Sequence, residues 1–174
     1  MGFGLPTPTQ LPFTIEVKPS ADTAIAQPGA TQPQIKFLAE PFQAAAYRDY
    51  SLHFWIDPQN LKLTRTASGS YRDDLQFIAA VYADDGFVEN SISITTHVDL
   101  APETYAAMLE SGLTFDLTIG IPVNARPMQP KAPAEPNYFY LRTAVVEPST
   151  GRIGAVEATS ESIHIPAIPS VASR

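Results

Sequence analysis

Four aspartates at the two ends of one strand-like segment are the residues whose chemistry first suggests a metal site. Asp73 and Asp74 lie near its start, and Asp84 and Asp85 lie at its end. Hard cations such as Ca²⁺ need several carboxylate oxygens, but this spacing matches no calcium-binding loop. Aspartate before Gly86 is typical of a hairpin turn. The sequence therefore predicts a turn and solvated charge here, and no metal site.

The three histidines give no catalytic or metal-binding pattern either. His53, His97 and His164 lie on three separate predicted strands, and none belongs to a spaced motif such as His-x-x-x-His. The chain has no cysteine, no Gly-x-Ser-x-Gly elbow and no Gly-rich phosphate loop. Paired carboxylates for sugar hydrolysis stay open, because two acids can meet in three dimensions, but nothing favours them. We predict a protein that is not an enzyme and has no catalytic residue, cofactor or metal.

The single tryptophan, Trp55, has two interpretations. It alternates with Phe54 and Ile56 and therefore lies on the opposite face of its strand. In one interpretation it is exposed and, with Tyr71 and Tyr82, stacks on a sugar or anchors a partner. In the other it is a core residue between two sheets, as in many immunoglobulin-type folds. We favour the core interpretation and keep the sugar-binding surface as the alternative.

A proline-rich stretch, residues 122–136, is a second candidate contact surface. It carries two isolated basic residues, Arg126 and Lys131. Its proline density favours an extended, polyproline-like loop. An exposed strand edge is a further candidate, because unpaired backbone groups accept an added strand. We expect a protein partner at one of these surfaces.

The charge of the chain narrows the range of partners. Its 174 residues carry a formal net charge of −7, and the eleven basic residues are scattered singly. A phosphate-binding face needs clustered Lys and Arg, so the sequence argues against a nucleic acid partner. The acidity also disfavours adsorption to an anionic membrane, and no stretch has the apolar length needed for membrane insertion. The N-terminus has neither the basic nor the apolar region of a secretory signal.

Period-two alternation, interrupted by turns, runs through most of the chain. We predict strands at residues 50–56, 61–66, 72–83, 87–98 and 113–119. A helix is predicted between Pro102, a first-turn residue, and Gly112, just past its end. Its apolar stripe of Tyr105, Met108 and Leu109 is expected to lie over the edge or end of a sheet structure.

The last third of the chain has the clearest alternation. Phe139, Leu141, Thr143 and Val145 point to one side and the residues between them to the other, which predicts a strand buried on one face. Residues 148–151, Pro-Ser-Thr-Gly, then reverse the chain. This pattern is typical of the closing hairpin of an antiparallel sandwich.

Together these elements predict an all-β fold, an immunoglobulin-like antiparallel β-sandwich of about seven strands with one short helix in a crossover connection. The sandwich domain is assigned to residues 46–168. Residues 1–45 are predicted to be an extended N-terminal segment and linker, with a candidate edge strand at 11–18. Residues 169–174 are predicted to be a tail.

Three blocks of the sequence share a pattern of turns and strand ends with one known family. They are residues 57–64 (DPQNLKLT), 80–88 (AVYADDGFV) and 100–105 (LAPETY). With residues 141–145 and 149–154, they resemble the C-terminal region of von Willebrand factor A-related proteins typical of Acidobacteria. The resemblance covers roughly residues 47–166, and its motifs are mostly turn and strand signals. The chain departs from the family pattern at residues 122–136, where relatives have a short Gly-containing turn.

In that family an exported A-type domain precedes an immunoglobulin-like or fibronectin-like sandwich. The resemblance implies a non-catalytic accessory, interaction or spacer domain of a larger exported bacterial protein, in the periplasm, on the cell surface or secreted. Its partner would be another protein or the preceding A-type domain. The Asp-x-Ser-x-Ser metal loop of the A-type domain does not occur in this sequence, so metal-dependent adhesion is not carried over. The alternative function is a carbohydrate-binding module that uses exposed aromatics.

Overall fold

The computed structural model describes residues 10–20, 47–83, 86, 88–122, 139–160 and 162–163. In chain order these residues form β1 (Phe13–Pro19), β2 (Tyr47–Ile56), a 3₁₀ turn (Pro58–Asn60), β3 (Thr64–Arg65), β4 (Tyr71–Ala83), β5 (Val88–Leu100), α1 (Pro102–Ser111), β6 (Leu113–Pro122), β7 (Phe139–Glu147) and β8 (Arg152–Thr159). Within the described residues, no helix has the length and apolar character needed to cross a membrane.

The strands form two antiparallel sheets. One has the order β1-β2-β6, and the other has the order β5-β4-β7-β8. β5 pairs with one side of β4 along its length. On the other side of β4, β3 pairs with Tyr71 and Arg72, and β7 pairs with the residues from Gln76 onward. α1 connects β5 of one sheet to β6 of the other. The predicted all-β sandwich with one short crossover helix is therefore confirmed.

The core lies between the two sheets, where alternate residues of each strand point inward. Four such residues of β2 are buried: Tyr50, Leu52, Phe54 and Ile56. Across the core, the ring of Phe54 meets Phe77 edge to face with centroids 5.2 Å apart, and Phe77 stacks on Phe115 at 4.0 Å. Each aromatic pair of this kind contributes about 0.5–1.5 kcal/mol beyond the burial of its area.

β7 differs from the predicted strand with one buried face. Leu141 and Val145 point into the core, but Arg142 and Ala144 on the opposite face are also buried, Arg142 with an exposed fraction of only 2%. β7 lies in the middle of its sheet, so residues of both neighbouring strands flank these outward side chains. Side chains of β4 and β8 lie about 5 Å away on both sides of each residue, and Arg142 Nη1 lies 4.0 Å from Glu157 Oε2.

The predicted edge strand near the N-terminus is present as β1, which pairs with β2. Ahead of β1, Leu11 is fully buried, and the Gln10 N–H donates to the Ile153 carbonyl of β8 at 3.1 Å. This approach requires the absence of a side chain at Gly154, because a Cβ there would lie 1.7 Å from the Leu11 carbonyl oxygen. The chain thus passes from one sheet to the other and closes this side of the sandwich.

Two predicted elements are corrected in detail. The strand predicted at residues 61–66 is reduced to β3, because Leu61 turns into the core and the Lys62 N–H donates to a side chain instead of a strand. In α1, only Met108 of the predicted apolar stripe is buried. Leu109 is exposed, and Tyr105 stacks on Tyr71.

Candidate functional site

Trp55 lies on the outer face of the three-stranded sheet, so the interpretation of Trp55 as a core residue is wrong. Its neighbours Phe54 and Ile56 take the inward positions of β2, which leaves the indole outside with an exposed fraction of 40%. The ring is nevertheless fixed in position. Its Nε1–H donates to the carbonyl of Ser111, the last residue of α1, at 3.1 Å.

Gly112 makes this arrangement possible. Its backbone has φ 88° and ψ 164°, a conformation that is almost exclusive to glycine. A Cβ at this position would lie 2.0 Å from Trp55 Nε1. The indole edge therefore occupies the space where any other residue would carry its side chain, and the ring lies against the end of α1.

Polar groups surround Trp55 on the same face. Thr14 of β1 and Thr114 of β6 lie directly opposite Trp55 in the strand register. The next row on this face, about 7 Å along the strands, contains acidic and imidazole groups: Glu16, His53 and Asp116. An aromatic ring bordered by hydroxyl, imidazole and carboxylate groups can stack on a sugar ring and bind its hydroxyls.

The other predicted contact residues do not join Trp55. Tyr71, at the start of β4, stacks on Tyr105 of α1 with ring centroids 3.8 Å apart. Tyr82 lies at the far end of β4 and is buried, with an exposed fraction of 4%, so it offers no free surface for a ligand. Pro122, the first residue of the predicted 122–136 loop, is the last residue of β6, and Arg126 and Lys131 lie with residues 123–136 outside the described residues. The three aromatics therefore do not form one surface.

Each of two histidines pairs with an aspartate directly across the strand register. His53 Nδ1 lies 2.7 Å from Asp116 Oδ1, and His97 Nδ1 lies 2.6 Å from Asp74 Oδ1. Both pairs are exposed, and they lie on different sheets. His164 is outside the described residues. Among the residues that are described, no group of three or more His, Asp or Glu side chains converges on a point that could hold a metal ion.

The remaining aspartates of interest have separate structural partners. Asp73 accepts a hydrogen bond from the Ser149 hydroxyl at 2.8 Å. Asp99 Oδ2 lies 2.7 Å from Arg72 Nη2, and the hydrogen bond from this guanidinium lowers the pKa of the Asp99 carboxyl. Asp84 and Asp85 lie outside the described residues.

β5 forms a long edge of the larger sheet. It pairs with β4 along its length, and no strand among the described residues pairs with its other side. Near its start, the Asn90 amide donates to the Gly120 carbonyl of β6 at 2.8 Å. The following stretch, Ser91 to Thr96, contains neither charge nor proline, and Ile94 has an exposed fraction of 37%. Edge strands usually carry charges, proline or bulges that prevent pairing with another chain, and this stretch has none of them.

A buried ionic cluster, which the sequence analysis missed, closes the opposite side of the sandwich. Glu147 is fully buried, and its Oε1 accepts from the Lys62 N–H at 2.6 Å. Its Oε2 accepts from the Thr150 hydroxyl and lies 3.6 Å from Arg152 Nη1. Arg152 also donates to the Asn60 carbonyl and, at 2.6 Å, to the Gln10 carbonyl. The cluster joins the N-terminal segment, the loop after β2 and the β7–β8 turn.

Comparison with known proteins gives little beyond this geometry. No protein-family model and no curated protein matches the chain. Among solved structures, it is similar to part of Bacteroides uniformis beta-glucuronidase 2, in a structure covalently bound to cyclophellitol-6-carboxylate aziridine. The match has 12% sequence identity and a TM-score of 0.37, and it covers 68% of this chain and 12% of that chain. A similarity of this strength carries no argument about function.

Proposed function

We propose that the chain is a non-catalytic interaction and spacer domain of a larger exported bacterial protein related to the von Willebrand factor A proteins. The observation that carries this proposal is the thirteen-residue edge strand β5, whose free side has no strand partner among the described residues. Unpaired N–H and C=O groups along such an edge form a template for an extended segment of another chain. The sequence resemblance supports the exported context and makes the A-type domain a candidate partner.

Strand addition at β5 would follow the usual division of labour in such complexes. Main-chain hydrogen bonds would provide affinity, and alternate side chains would provide specificity. On the core side of β5, Ile92 is partly buried and Ile94 is exposed. A partner segment with apolar residues at every second position would cover both isoleucines. We therefore expect the bound segment to have alternating apolar and polar residues and no proline at its centre.

Selection from a library of displayed peptides tests this proposal. We expect enriched peptides to alternate in this way and to lose binding when Ile94→Lys adds a charge to the edge. The matched control is Leu109→Lys, which adds the same charge at an exposed leucine on α1. A screen with generic glycoside and ester substrates supplies the opposing outcome. Turnover that one Asp or Glu substitution abolishes would replace the interaction domain with an enzyme.

A second candidate function, carbohydrate binding, is favoured by one specific observation. Trp55 is exposed on an outer sheet face, and Thr14, Thr114 and His53 lie near it in the strand register. The hydrogen bond to Ser111 holds the ring in place before a ligand arrives. A preorganised aromatic surface reduces the entropy that binding must overcome.

Fluorescence gives a direct test, because Trp55 is the one tryptophan in the sequence. We expect its emission in the free protein to be quenched by acrylamide. Soluble glycans that bind this face should shift the emission and protect it from quenching, and Trp55→Ala should remove binding in a glycan array. A blue-shifted emission that acrylamide does not quench would show a buried ring and would end the carbohydrate hypothesis.

A further inference from the structure

We infer that the partner of the β5 edge is the β5 edge of a second copy of this chain, so that two sandwiches join into one continuous sheet. This inference rests on the proposed function, since it names the occupant of the same edge. The stretch from Ser91 to Thr96, Ser-Ile-Ser-Ile-Thr-Thr, is uncharged within a chain whose net charge is −7. Two copies therefore meet where neither brings a like charge, which would otherwise oppose antiparallel pairing.

The alternation of side chains fixes which registers are allowed. With a two-fold axis perpendicular to the sheet, one residue of β5 must lie directly opposite the same residue of the second copy. Only then do core-side residues of one copy lie opposite core-side residues of the other. We name each register by the residue that lies opposite its own copy. In the Ser93 register, Ile92 lies opposite Ile94 of the second copy, and Ser91 lies opposite Thr95 of the second copy. The partly buried Ile92 of each copy then lies beside the exposed Ile94 of the other on the core side, and hydroxyl groups meet on the outer side.

The charges that flank this stretch distinguish the neighbouring register. In the Ile94 register, Asp99 would lie opposite Glu89 of the second copy, which brings two acids together. In the Ser93 register, His97 lies opposite Glu89 of the second copy instead. The Ser93 register is therefore the one in which the apolar, polar and charged positions of β5 all match.

Sedimentation equilibrium on the full 174-residue chain tests the association. We expect a monomer–dimer equilibrium that tightens when salt rises from about 0.05 to 0.5 M, because salt screens the repulsion between two acidic copies. Ile94→Lys should raise the dissociation constant at least tenfold, since edge charges oppose strand pairing, and Leu109→Lys should leave it unchanged. A chain that stays monomeric at about 1 mM, or that loses association equally in both variants, overturns the inference.

Cysteine cross-linking tests the register and does not depend on how well Ile94→Lys folds. The chain lacks cysteine, so each introduced thiol reports only its own position. Under mild oxidation, Ser93→Cys should form a disulfide-linked dimer, whereas Ser68→Cys, at an exposed loop serine, should not. Equal cross-linking of the two variants contradicts self-pairing. If the chain is monomeric but library peptides still bind at β5, self-pairing is wrong and the proposed function stands. If the chain neither dimerises nor binds peptides at β5, both self-pairing and the proposed function are wrong.

Discussion

Replacement of Glu147 by alanine should be among the most damaging single changes in the described part of the chain. Glu147 is fully buried and accepts hydrogen bonds from the Lys62 N–H and the Thr150 hydroxyl. It also provides the negative charge beside Arg152. Glu147→Ala would leave the Lys62 N–H without its acceptor and the Arg152 guanidinium without the carboxylate beside it, and it would loosen the contact between the β7–β8 turn and the loop after β2.

The expected loss of stability follows from these contacts. Removal of one partner from a buried ion pair costs roughly 3–5 kcal/mol, and a stranded backbone N–H costs roughly 1–3 kcal/mol. The two costs overlap, and Arg152 keeps a quarter of its side-chain surface in water, so we expect about 4 kcal/mol in total. For a chain of this size each kcal/mol lowers the melting temperature by roughly 2–4 °C, which gives a decrease of about 12 °C.

Thermal unfolding followed by circular dichroism measures this decrease, and two variants control it. Glu147→Gln keeps an oxygen acceptor but loses the charge, so we expect a cost of about 1–2 kcal/mol. Glu110→Ala removes an exposed carboxylate from α1 and should change stability by less than about 0.5 kcal/mol. If Glu147→Ala melts within about 2 °C of the wild type, or no lower than Glu110→Ala, the ionic cluster does not hold this side of the sandwich.

Two further predictions concern the Trp55 face and the core. Gly112→Ala should destabilise the fold by at least about 2 kcal/mol and red-shift the Trp55 emission, because the new Cβ collides with the indole. Gly69→Ala is the control, since it has a similar φ of 91° but no atom within 4 Å of the new Cβ, and an equal red shift would contradict the contact. Burial raises the pKa of Tyr50 above its ordinary value of 10.0, against an opposing effect of Arg48. The pKa of Tyr50 is therefore higher in the folded state than in the unfolded state. The contribution of the protonated Tyr50 phenol to folding stability is complete below about pH 10 and is lost as the pH rises further. Alkaline melting curves should fall less steeply for Tyr50→Phe, and identical curves would refute this assignment.

The sequence predicted the architecture because the fold depends on local alternation. Phe54, Ile56 and their neighbours follow period two over the length of β2, and Pro102 and Gly112 mark the ends of α1. The same alternation put Trp55 on the outer face, which the structure confirms. The core interpretation was wrong because it gave the general preference of sandwich cores for tryptophan more weight than the register of this strand.

The features that the sequence did not predict depend on contacts between distant residues. Arg142 is buried on a strand that β4 and β8 flank, and strand order cannot be read from the alternation within one strand. The sequence predicts a turn at residues 148–151, but it does not link the flanking Glu147 to Lys62, which lies 85 residues earlier in the chain. A Glu-x₄-Arg pair around a tight turn is too common a pattern to indicate a buried ion pair.

The two lateral sides of the sandwich differ in a way that separates stability from binding. On one side, hydrogen bonds and an ion pair that involve the N-terminal segment, Arg152 and Glu147 join the two sheets. On the other side, the Asn90 amide joins β5 to β6, and beyond it the outer edge of β5 pairs with no strand of the described residues. Changes at Glu147 should therefore lower the melting temperature without altering the surface of β5. Changes at Ile94 should alter association with little effect on the melting temperature, because half-exposed edge residues add little to folding. A variant of either residue that alters both properties equally would show that the two sides are not independent.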